Sequence, residues 1–323
     1  MNRSSKLKGM GMKMIIEVSN LVKKFKDIAV VDGVDLNIED GEIFGLLGPN
    51  GAGKSTTLNA LLGLLKISSG TVKICGKDFS KNTREVKSMI GYVPQDLAFF
   101  EQLSAIDNVT YWGKLYGLRG NDLRKATEEA LELTGLVDRK KGKASTFSGG
   151  MKRRLNIACA IVHKPRILIL DEPTVGVDPQ SRNNILESIK TLNKNGTTVI
   201  YTSHYMEEIE AICDRVAIMD FGKVIALGTI EELIDSISKT NKVSIEFSEL
   251  PDDVIKVIEN TQGVIKSEKE GNMLYIKMQK DEQYRLELLE NLVKNHIKIK
   301  SFTLEKPTLE TVFLQLTGKK LRD

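Results

Sequence analysis

The nine residues 48–56, GPNGAGKST, limit the possible folds of this chain more than any other stretch. They fit the pattern G-x-x-x-x-G-K-[ST], follow the buried apolar strand EIFGLLG and open the helical pattern KSTTLNALLGLL. Glycines in such a loop let the backbone curl until several N–H groups face one anion. We therefore predict a phosphate-binding loop in which Lys54 reaches the β- and γ-phosphates and Ser55 binds Mg²⁺. The alternative, an ordinary glycine-rich turn, is disfavoured by the strand–loop–helix context.

The rest of the first two thirds of the chain predicts an α/β domain. RILILDE and TTVIYTS are two further buried strands, and the helical pattern SRNNILESIKTLNKNG lies between them. Buried strands that alternate with helices are typical of a largely parallel sheet. Over residues 98–148 the strand signal disappears and two amphipathic helical patterns take its place. We expect that block to be a helical insertion into the α/β domain.

The C-terminal part has a different pattern. KVSIEFS, GVIKSEK, NMLYIKM and KIKSFTLE read as short strands, and DDVIKVIEN and EQYRLELLENLVKNH as helices. The resulting order, β-α-β-β-α-β, predicts a small ferredoxin-like α+β domain. A length of 323 residues also favours two domains. We place a loose tail at residues 1–13, the α/β domain at 14–238 and the accessory domain at 239–323.

The last predicted helix, PTLETVFLQLTG, carries an apolar stripe of Leu309, Val312, Phe313 and Leu316. Packing on its own domain is the simpler explanation of this stripe, and a partner or dimer surface is the alternative.

Composition excludes several classes of protein. The formal net charge is only +4 and the basic residues form no block, so nucleic acid is not expected as a partner. Cys75, Cys159 and Cys213 lie far apart in apolar runs, which indicates buried thiols and not a disulfide framework. No run of about 18 apolar residues is present to span a membrane. The basic N-terminus has no apolar segment after it, so we expect no signal peptide.

An acidic pair ends the buried strand RILILDEP. Asp171 is placed to hold Mg²⁺, directly or through water, and Glu172 to polarise an attacking water molecule. The alternative is a strand end followed by a turn at Pro173, and the phosphate loop upstream makes that explanation the weaker one.

Four other polar positions do not discriminate by themselves. Gln95 lies in a loop, where a solvated side chain is the usual finding, and His204 after TTVIYTS reads as a surface histidine at a strand end. Asp178 precedes a helix, where capping is the default. Ser148, in STFSGGMKRRLNIACA, begins another helical pattern. Either it caps that helix, or the N–H groups at the helix start hold a phosphate.

Taken together, these elements resemble the nucleotide-binding subunit of an ATP-binding cassette (ABC) transporter. The phosphate loop, Gln95, FSGGM (147–151), LILDEP (168–173), GVD (176–178) and His204 occur in the family's order and spacing. The finer resemblance is to daunorubicin-resistance-type exporters, through AVVDGVDL, LYGL and the terminal PTLETVFLQLTGKKLRD. Two positions depart from the family: Phe147 replaces its usual Leu, and Met151 its usual Gln.

The resemblance implies a P-loop NTPase fold with antiparallel β and α-helical subdomains, and a role for each matching residue. Glu172 corresponds to the catalytic base, Gln95 to the glutamine that senses Mg²⁺ and the nucleophilic water, and His204 to the switch histidine on the γ-phosphate. Phe25 falls where an aromatic ring stacks on adenine. The remaining nucleotide-binding positions implied are Gly48, Pro49, Asn50, Gly51, Ala52, Gly53, Lys54, Ser55, Thr56, Ser148, Gly149, Gly150 and Asp178.

The resemblance also implies partners. Two ATPase subunits would sandwich two ATP·Mg²⁺, with Ser148 of one chain facing the γ-phosphate held by Lys54 of the other. Separate transmembrane permease subunits would dock on the helical block 98–148, which holds the protein at the cytoplasmic face of the membrane. Export of drugs, lipids or other hydrophobic cargo is the expectation. The alternatives are a soluble cassette ATPase acting on nucleic acid or ribosomes, and an importer subunit.

Overall fold

The structure of the chain, a computed structural model, describes residues 13–237, 240–248, 252–295, 297–305 and 307–318. The predicted loose tail, apart from Lys13, lies outside these residues. The chain divides into two compact units, the second of which spans Glu231–Gly318.

The elements of the first unit are β1 (Met14–Phe25), β2 (Ile28–Glu39), β3 (Ile43–Leu47), α1 (Lys54–Leu61), β4 (Ser69–Ile74), β5 (Lys77–Asp78), α2 (Thr83–Ser88), β6 (Ile90–Val93), α3 (Ala105–Leu115), α4 (Gly120–Leu133), α5 (Gly149–Ile161), β7 (Ile167–Asp171), α6 (Pro179–Lys194), β8 (Thr198–Thr202), α7 (Met206–Ile212), β9 (Arg215–Asp220) and β10 (Lys223–Thr229).

A six-stranded sheet forms the centre of this unit, in the order β10-β9-β3-β8-β7-β6. Its neighbouring strands are parallel except for the hairpin of β9 and β10. Every residue of β3, β7 and β8 is buried, as expected of parallel strands that are covered on both faces. The carboxyl ends of β3 and β7 therefore open at the same edge, where the predicted phosphate loop and acidic pair begin.

Two further layers complete the unit. An antiparallel sheet, β2-β1-β4-β5, shares one apolar core with the central sheet. The block 98–148 contains α3 and α4, which pack on each other and on α5. Ser104 caps α3 by accepting a hydrogen bond from the Asp107 N–H. The P-loop fold with antiparallel β and helical subdomains is thereby confirmed.

The elements of the second unit are α8 (Ile230–Ile237, which begins at the boundary), β11 (Thr240–Phe247), α9 (Asp252–Glu259), β12 (Val264–Glu270), β13 (Met273–Gln279), α10 (Glu282–Lys294), β14 (Ile299–Glu305) and α11 (Leu309–Thr317).

The second unit contains the predicted β-α-β-β-α-β arrangement, with an antiparallel sheet in the order β12-β13-β11-β14. Alternate residues of β11 and β13 pack with α9 and α10 in one apolar core. Thr308 caps α11 through a capping box, and Gly318 ends the helix at φ 67°. The stripe on α11 is buried within the chain itself at Leu309, Val312 and Phe313, while Leu316 is 39% exposed.

The cysteines agree with the sequence expectation in part. Cys159 and Cys213 are buried free thiols, whereas Cys75 is only half-buried.

Candidate functional site

A cavity of about 240 Å³ opens at the carboxyl ends of β3 and β7. It gathers residues that are more than 140 positions apart in sequence, because parallel strands end at one edge of the sheet. Its lining residues are Val30, Asn50, Gly51, Ala52, Gly53, Lys54, Ser55, Thr56, Gln95, Asp171 and Glu172.

The loop between β3 and α1 curls tightly around its own lysine. The Lys54 ammonium donates to the carbonyl oxygens of Gly48 and Pro49, at 2.6 and 3.2 Å. Gly53 has φ 99°, and a Cβ added there would lie 2.7 Å from the Val30 carbonyl oxygen, so only glycine fits. Burial lowers the pKa of Lys54, and the nearby acidic pair opposes that change. The loop thus presents a cation and glycine-rich backbone to the cavity, an arrangement suited to phosphate.

The acidic pair is held by the neighbouring strand. The Thr202 hydroxyl donates to Asp171 Oδ1 at 2.8 Å, and accepts from the Glu172 N–H at 3.0 Å. Burial raises the pKa of Asp171, and the Thr202 hydrogen bond opposes that rise. Glu172 is left-handed at φ 49°, a conformation that costs energy in a non-glycine residue and is typical of functional sites. Thr202 therefore fixes both carboxylate-bearing residues at the rim of the cavity.

Two further predicted residues reach the same place. Gln95 lines the cavity, and Arg153 of α5 donates to the Gln95 carbonyl oxygen. His204 does not line the cavity, but its Nδ1 lies 3.4 Å from Glu172 Oε2. The histidine loop is therefore in contact with the acidic pair through Glu172.

Other predicted site residues lie away from the cavity within this single chain. Ser148 caps α5 by accepting from the Met151 N–H at 3.3 Å, so the capping interpretation is observed. Asp178 caps α6 by accepting from the Ser181 N–H at 2.9 Å. Gly149 and Gly150, the first residues of α5, are likewise absent from the cavity lining, as is Phe25.

Phe25 ends β1 with 47% of its surface exposed, and the Lys23 ammonium lies 4.8 Å from its ring centroid. Gly48 and Pro49 contribute to the site through the carbonyl oxygens that bind Lys54, although they do not line the cavity.

Sequence reasoning missed Val30, Thr202 and Arg153. Val30 belongs to a β-hairpin that is remote in sequence from the loop it faces, and Thr202 looks like an ordinary buried strand residue. No pattern in the sequence distinguishes them. Only the tertiary fold brings them to the phosphate loop and the acidic pair.

Comparison with known proteins identifies the family. Residues 31–175 match the model described as "ABC transporter", and residues 228–317 match "ATP-binding protein DrrA1-3-like, C-terminal domain". The linearmycin resistance ATP-binding protein LnrL of Bacillus subtilis (strain 168) is 43% identical, over 96% of this chain and 100% of its own length. This chain belongs to the ABC transporter ATP-binding family.

Other relatives of this ABC subunit also match it over nearly the full length of both chains. The daunorubicin/doxorubicin resistance ATP-binding protein DrrA of Streptomyces peucetius is 36% identical over 94% of this chain and 92% of its own length. The Nod factor export ATP-binding protein I of Cupriavidus metallidurans is 37% identical over 97% of this chain and 100% of its own length. These relatives do not favour the alternatives of an importer or a soluble cassette ATPase.

Solved structures match about two thirds of the subunit. One described as the ATP-binding subunit of an ABC transporter superposes with TM-score 0.64 at 27% identity, covering 69% of this chain and 93% of its own. The dimeric post-hydrolysis state of the ATP-binding cassette MJ0796, bound to ADP and Pi, has TM-score 0.60 at 28% identity and covers 66% and 98%. This chain is thus an ABC ATPase subunit that binds nucleotide, and subunits of this kind work with transmembrane components.

The described residues of the subunit contain neither a membrane-spanning helix nor a preformed cluster of metal ligands. No helix in them has the length and apolar character needed to cross a bilayer. In the same part of the chain, no group of three or more His, Cys, Asp or Glu side chains is arranged to hold a metal ion by itself.

Proposed function

We propose that the cavity holds the triphosphate of ATP and that the residues around it carry out hydrolysis. One observation supports this most: the phosphate loop, Gln95, Asp171 and Glu172 line the same space. Lys54 already donates to two carbonyl oxygens of its own loop, and the phosphates of a bound nucleotide would compete for that ammonium. Lys54 would then neutralise charge on the β- and γ-phosphates.

Hydrolysis requires a water molecule beside the γ-phosphate, and Glu172 is the residue we assign to polarise it. Its backbone N–H donates to Thr202 directly after β7, and the residue lines the cavity. His204, 3.4 Å from that carboxylate, would donate to a γ-phosphate oxygen. Catalysis would rest on positioning and charge stabilisation, with little covalent chemistry for the protein to perform.

The same cavity suits Mg²⁺ as the companion of ATP. Ser55, Gln95 and Asp171 bring a hydroxyl, an amide and a carboxylate oxygen to one place, and Mg²⁺ prefers oxygen ligands completed by substrate phosphates. When bound, the ion would neutralise developing charge between the β- and γ-phosphates. Burial raises the pKa of Asp171, and the Thr202 hydrogen bond and the Lys54 charge oppose that rise, which favours the carboxylate form that the ion would need.

We further propose that a second copy of the chain completes the site. Ser148, Gly149, Gly150 and Asp178 lie outside the cavity of their own chain, yet they are adjacent to each other. A Cβ added to Gly150 would lie 2.2 Å from Ser181 Oγ, so the starts of α5 and α6 are in contact. The N–H groups at a helix start attract phosphate. This shared surface would therefore close on the γ-phosphate held by the partner's loop, and Phe25 would stack on the adenine.

The transport role follows from the relatives. LnrL and DrrA are resistance proteins, and the Nod factor protein is named for export. We propose that this subunit drives export of hydrophobic cargo such as drugs or lipids through separate transmembrane permease subunits. Its docking surface would be the helical block 98–148 with the Gln95 loop, which places the subunit at the cytoplasmic face of the cell membrane.

The proposal is tested by steady-state ATP hydrolysis of the purified chain and of Glu172→Gln. A general base contributes about 10²–10⁴-fold to rate, so the variant should lose at least about a hundredfold in kcat while still binding ATP. Glu187→Gln, an exposed position on α6, is the matched control and should keep wild-type activity. Rapid hydrolysis by Glu172→Gln would overturn the assignment of the base.

A further inference from the structure

Glu208, on α7, is a buried carboxylate that does not line the cavity; only 2% of it is exposed. The hydroxyls of Thr174, Tyr201 and Ser203 donate to its Oε2, at 2.8, 2.8 and 2.7 Å. Arg182 Nε lies 3.2 Å from its Oε1. A buried carboxylate is tolerated only where donors and a countercharge replace water. Here three hydroxyls donate to Oε2 and Arg182 supplies the countercharge beside Oε1, although Oε1 itself accepts no hydrogen bond from the described residues.

The partners of this carboxylate come from segments that border the catalytic groups. Thr174 follows Glu172 in the loop after β7, and Ser203 directly precedes His204 in the loop after β8. Arg182 lies in the first turn of α6. The start of this helix is part of the surface that we propose faces a second copy of the chain. The Glu208 carboxylate therefore contacts the loop that carries Glu172, the loop that carries His204, and α6.

The histidine loop is fixed in a second way. Ser203 Oγ donates to Glu208 and also accepts from the Tyr205 N–H at 3.0 Å, so it spans the backbone of His204. The His204 and Tyr205 rings lie 4.3 Å apart, and the Arg182 guanidinium carbon is 4.4 Å from the Tyr205 ring. The backbone of His204 is thereby fixed by Ser203, and its ring packs against Tyr205, which in turn contacts Arg182 of α6.

We propose that Glu208 is a positioning residue for ATP hydrolysis, which acts through the Ser203–Tyr205 segment to keep His204 beside Glu172. This inference rests on the proposed function, because it requires those two residues to act on bound ATP. Glu208 touches no substrate. Its loss would therefore leave nucleotide affinity intact and lower the rate at which bound ATP is cleaved. Through Arg182 it would also make the position of His204 depend on α6, and hence on closure against a second subunit.

The test compares Glu208→Gln with Glu42→Gln. Glu42 is a matched control because it is 7% exposed, accepts from the Glu39 N–H and lies 3.4 Å from Arg215, at the opposite end of the central sheet. Burial raises the pKa of Glu42 to about 7, so both variants are assayed near pH 8, where this carboxyl is mostly ionised. Both should lower the melting temperature, since each disturbs a buried ion pair.

Only Glu208→Gln should lower kcat, by at least about tenfold, with KM and the Kd for ATP within about twofold of wild type. A second variant, Ser203→Ala, keeps the carboxylate and removes one link to the histidine loop. It should lower kcat in the same direction and add little in the Glu208→Gln background, because the two residues act as one unit.

Wild-type kcat in Glu208→Gln, or an equal loss in Glu42→Gln, would refute the positioning role. An inactive wild-type chain would instead overturn the proposed function, and this inference with it. The two failures are therefore distinguishable.

Discussion

Thr202→Val is the substitution whose effect the structure defines most closely. Thr202 is fully buried, and valine matches its shape without the hydroxyl. The change removes the hydroxyl that donates to Asp171 Oδ1 at 2.8 Å and accepts from the Glu172 N–H at 3.0 Å. The Glu172 N–H then keeps only its hydrogen bond to the backbone carbonyl of residue 202, at 3.2 Å. A hydrogen bond to a charged, buried group contributes about 1.5–3 kcal/mol.

We therefore expect the free energy of unfolding of Thr202→Val to fall by about 2 kcal/mol. For a unit of this size that corresponds to a melting temperature lower by about 4–8 °C, measured by calorimetry on the whole chain. The matched control is Thr134→Val. Thr134 is also buried, but its hydroxyl donates to the Ala130 carbonyl in the helical block, far in sequence from the acidic pair.

The pH dependence separates a role at the site from a loss of stability. The Thr202 hydrogen bond lowers the pKa of Asp171 against the larger effect of burial, so its removal must raise that pKa further. A higher pKa leaves less carboxylate at a given pH. The acidic limb of the kcat/KM profile should therefore move to higher pH in Thr202→Val, and the Mg²⁺ concentration for half-maximal activity should rise. An unchanged acidic limb together with unchanged Mg²⁺ dependence would refute this account of Asp171.

Two further predictions concern residues that lie outside the cavity. Phe25→Ala should raise KM for ATP roughly fivefold through the loss of about 1 kcal/mol of ring stacking, without loss of stability. Ile28→Ala, at an exposed position nearby, is the control. Equal KM values for the two variants would contradict the adenine contact. Ser148→Arg should still bind a fluorescent nucleotide at the phosphate loop but should lose hydrolysis and dimerisation. It should also melt a few degrees lower, because an N-cap contributes about 1 kcal/mol. Normal turnover in this variant would return Ser148 to the role of a helix cap.

Local sequence signals were sufficient for much of the fold. The apolar runs of β3, β7 and β8 predicted a parallel sheet because strands covered on both faces cannot alternate. The alternation of KVSIEFS likewise predicts a strand with Val243, Ile245 and Phe247 on one apolar face, and all three are buried in β11. In these cases the order of apolar and polar residues in the sequence directly reflects which side chains are buried.

The site was predictable only where a motif specifies it. The phosphate loop and the acidic pair are local patterns, and the structure places both around one cavity. Thr202 and Glu208 carry no such pattern, since a buried threonine in a strand and a glutamate in a helix are common. Their roles arise from contacts between β8, the loop after β7 and α6, which depend on strand order. The periodicity of a sequence predicts which face of an element is buried, but it does not predict the hydrogen-bond partners of the buried polar side chains.

The central claim is that ATP joins two copies of this chain, with Ser148 of one facing the loop of the other. The most direct test is the molar mass of Glu172→Gln by light scattering, with ATP and Mg²⁺ and without them. The account predicts a change from the monomer mass of 36.0 kDa to twice that value on adding ATP. It also predicts that the added Ser148→Arg substitution abolishes the change while leaving nucleotide bound. A mass that stays at the monomer value with ATP bound, or a dimer that persists with Ser148→Arg, would contradict the account.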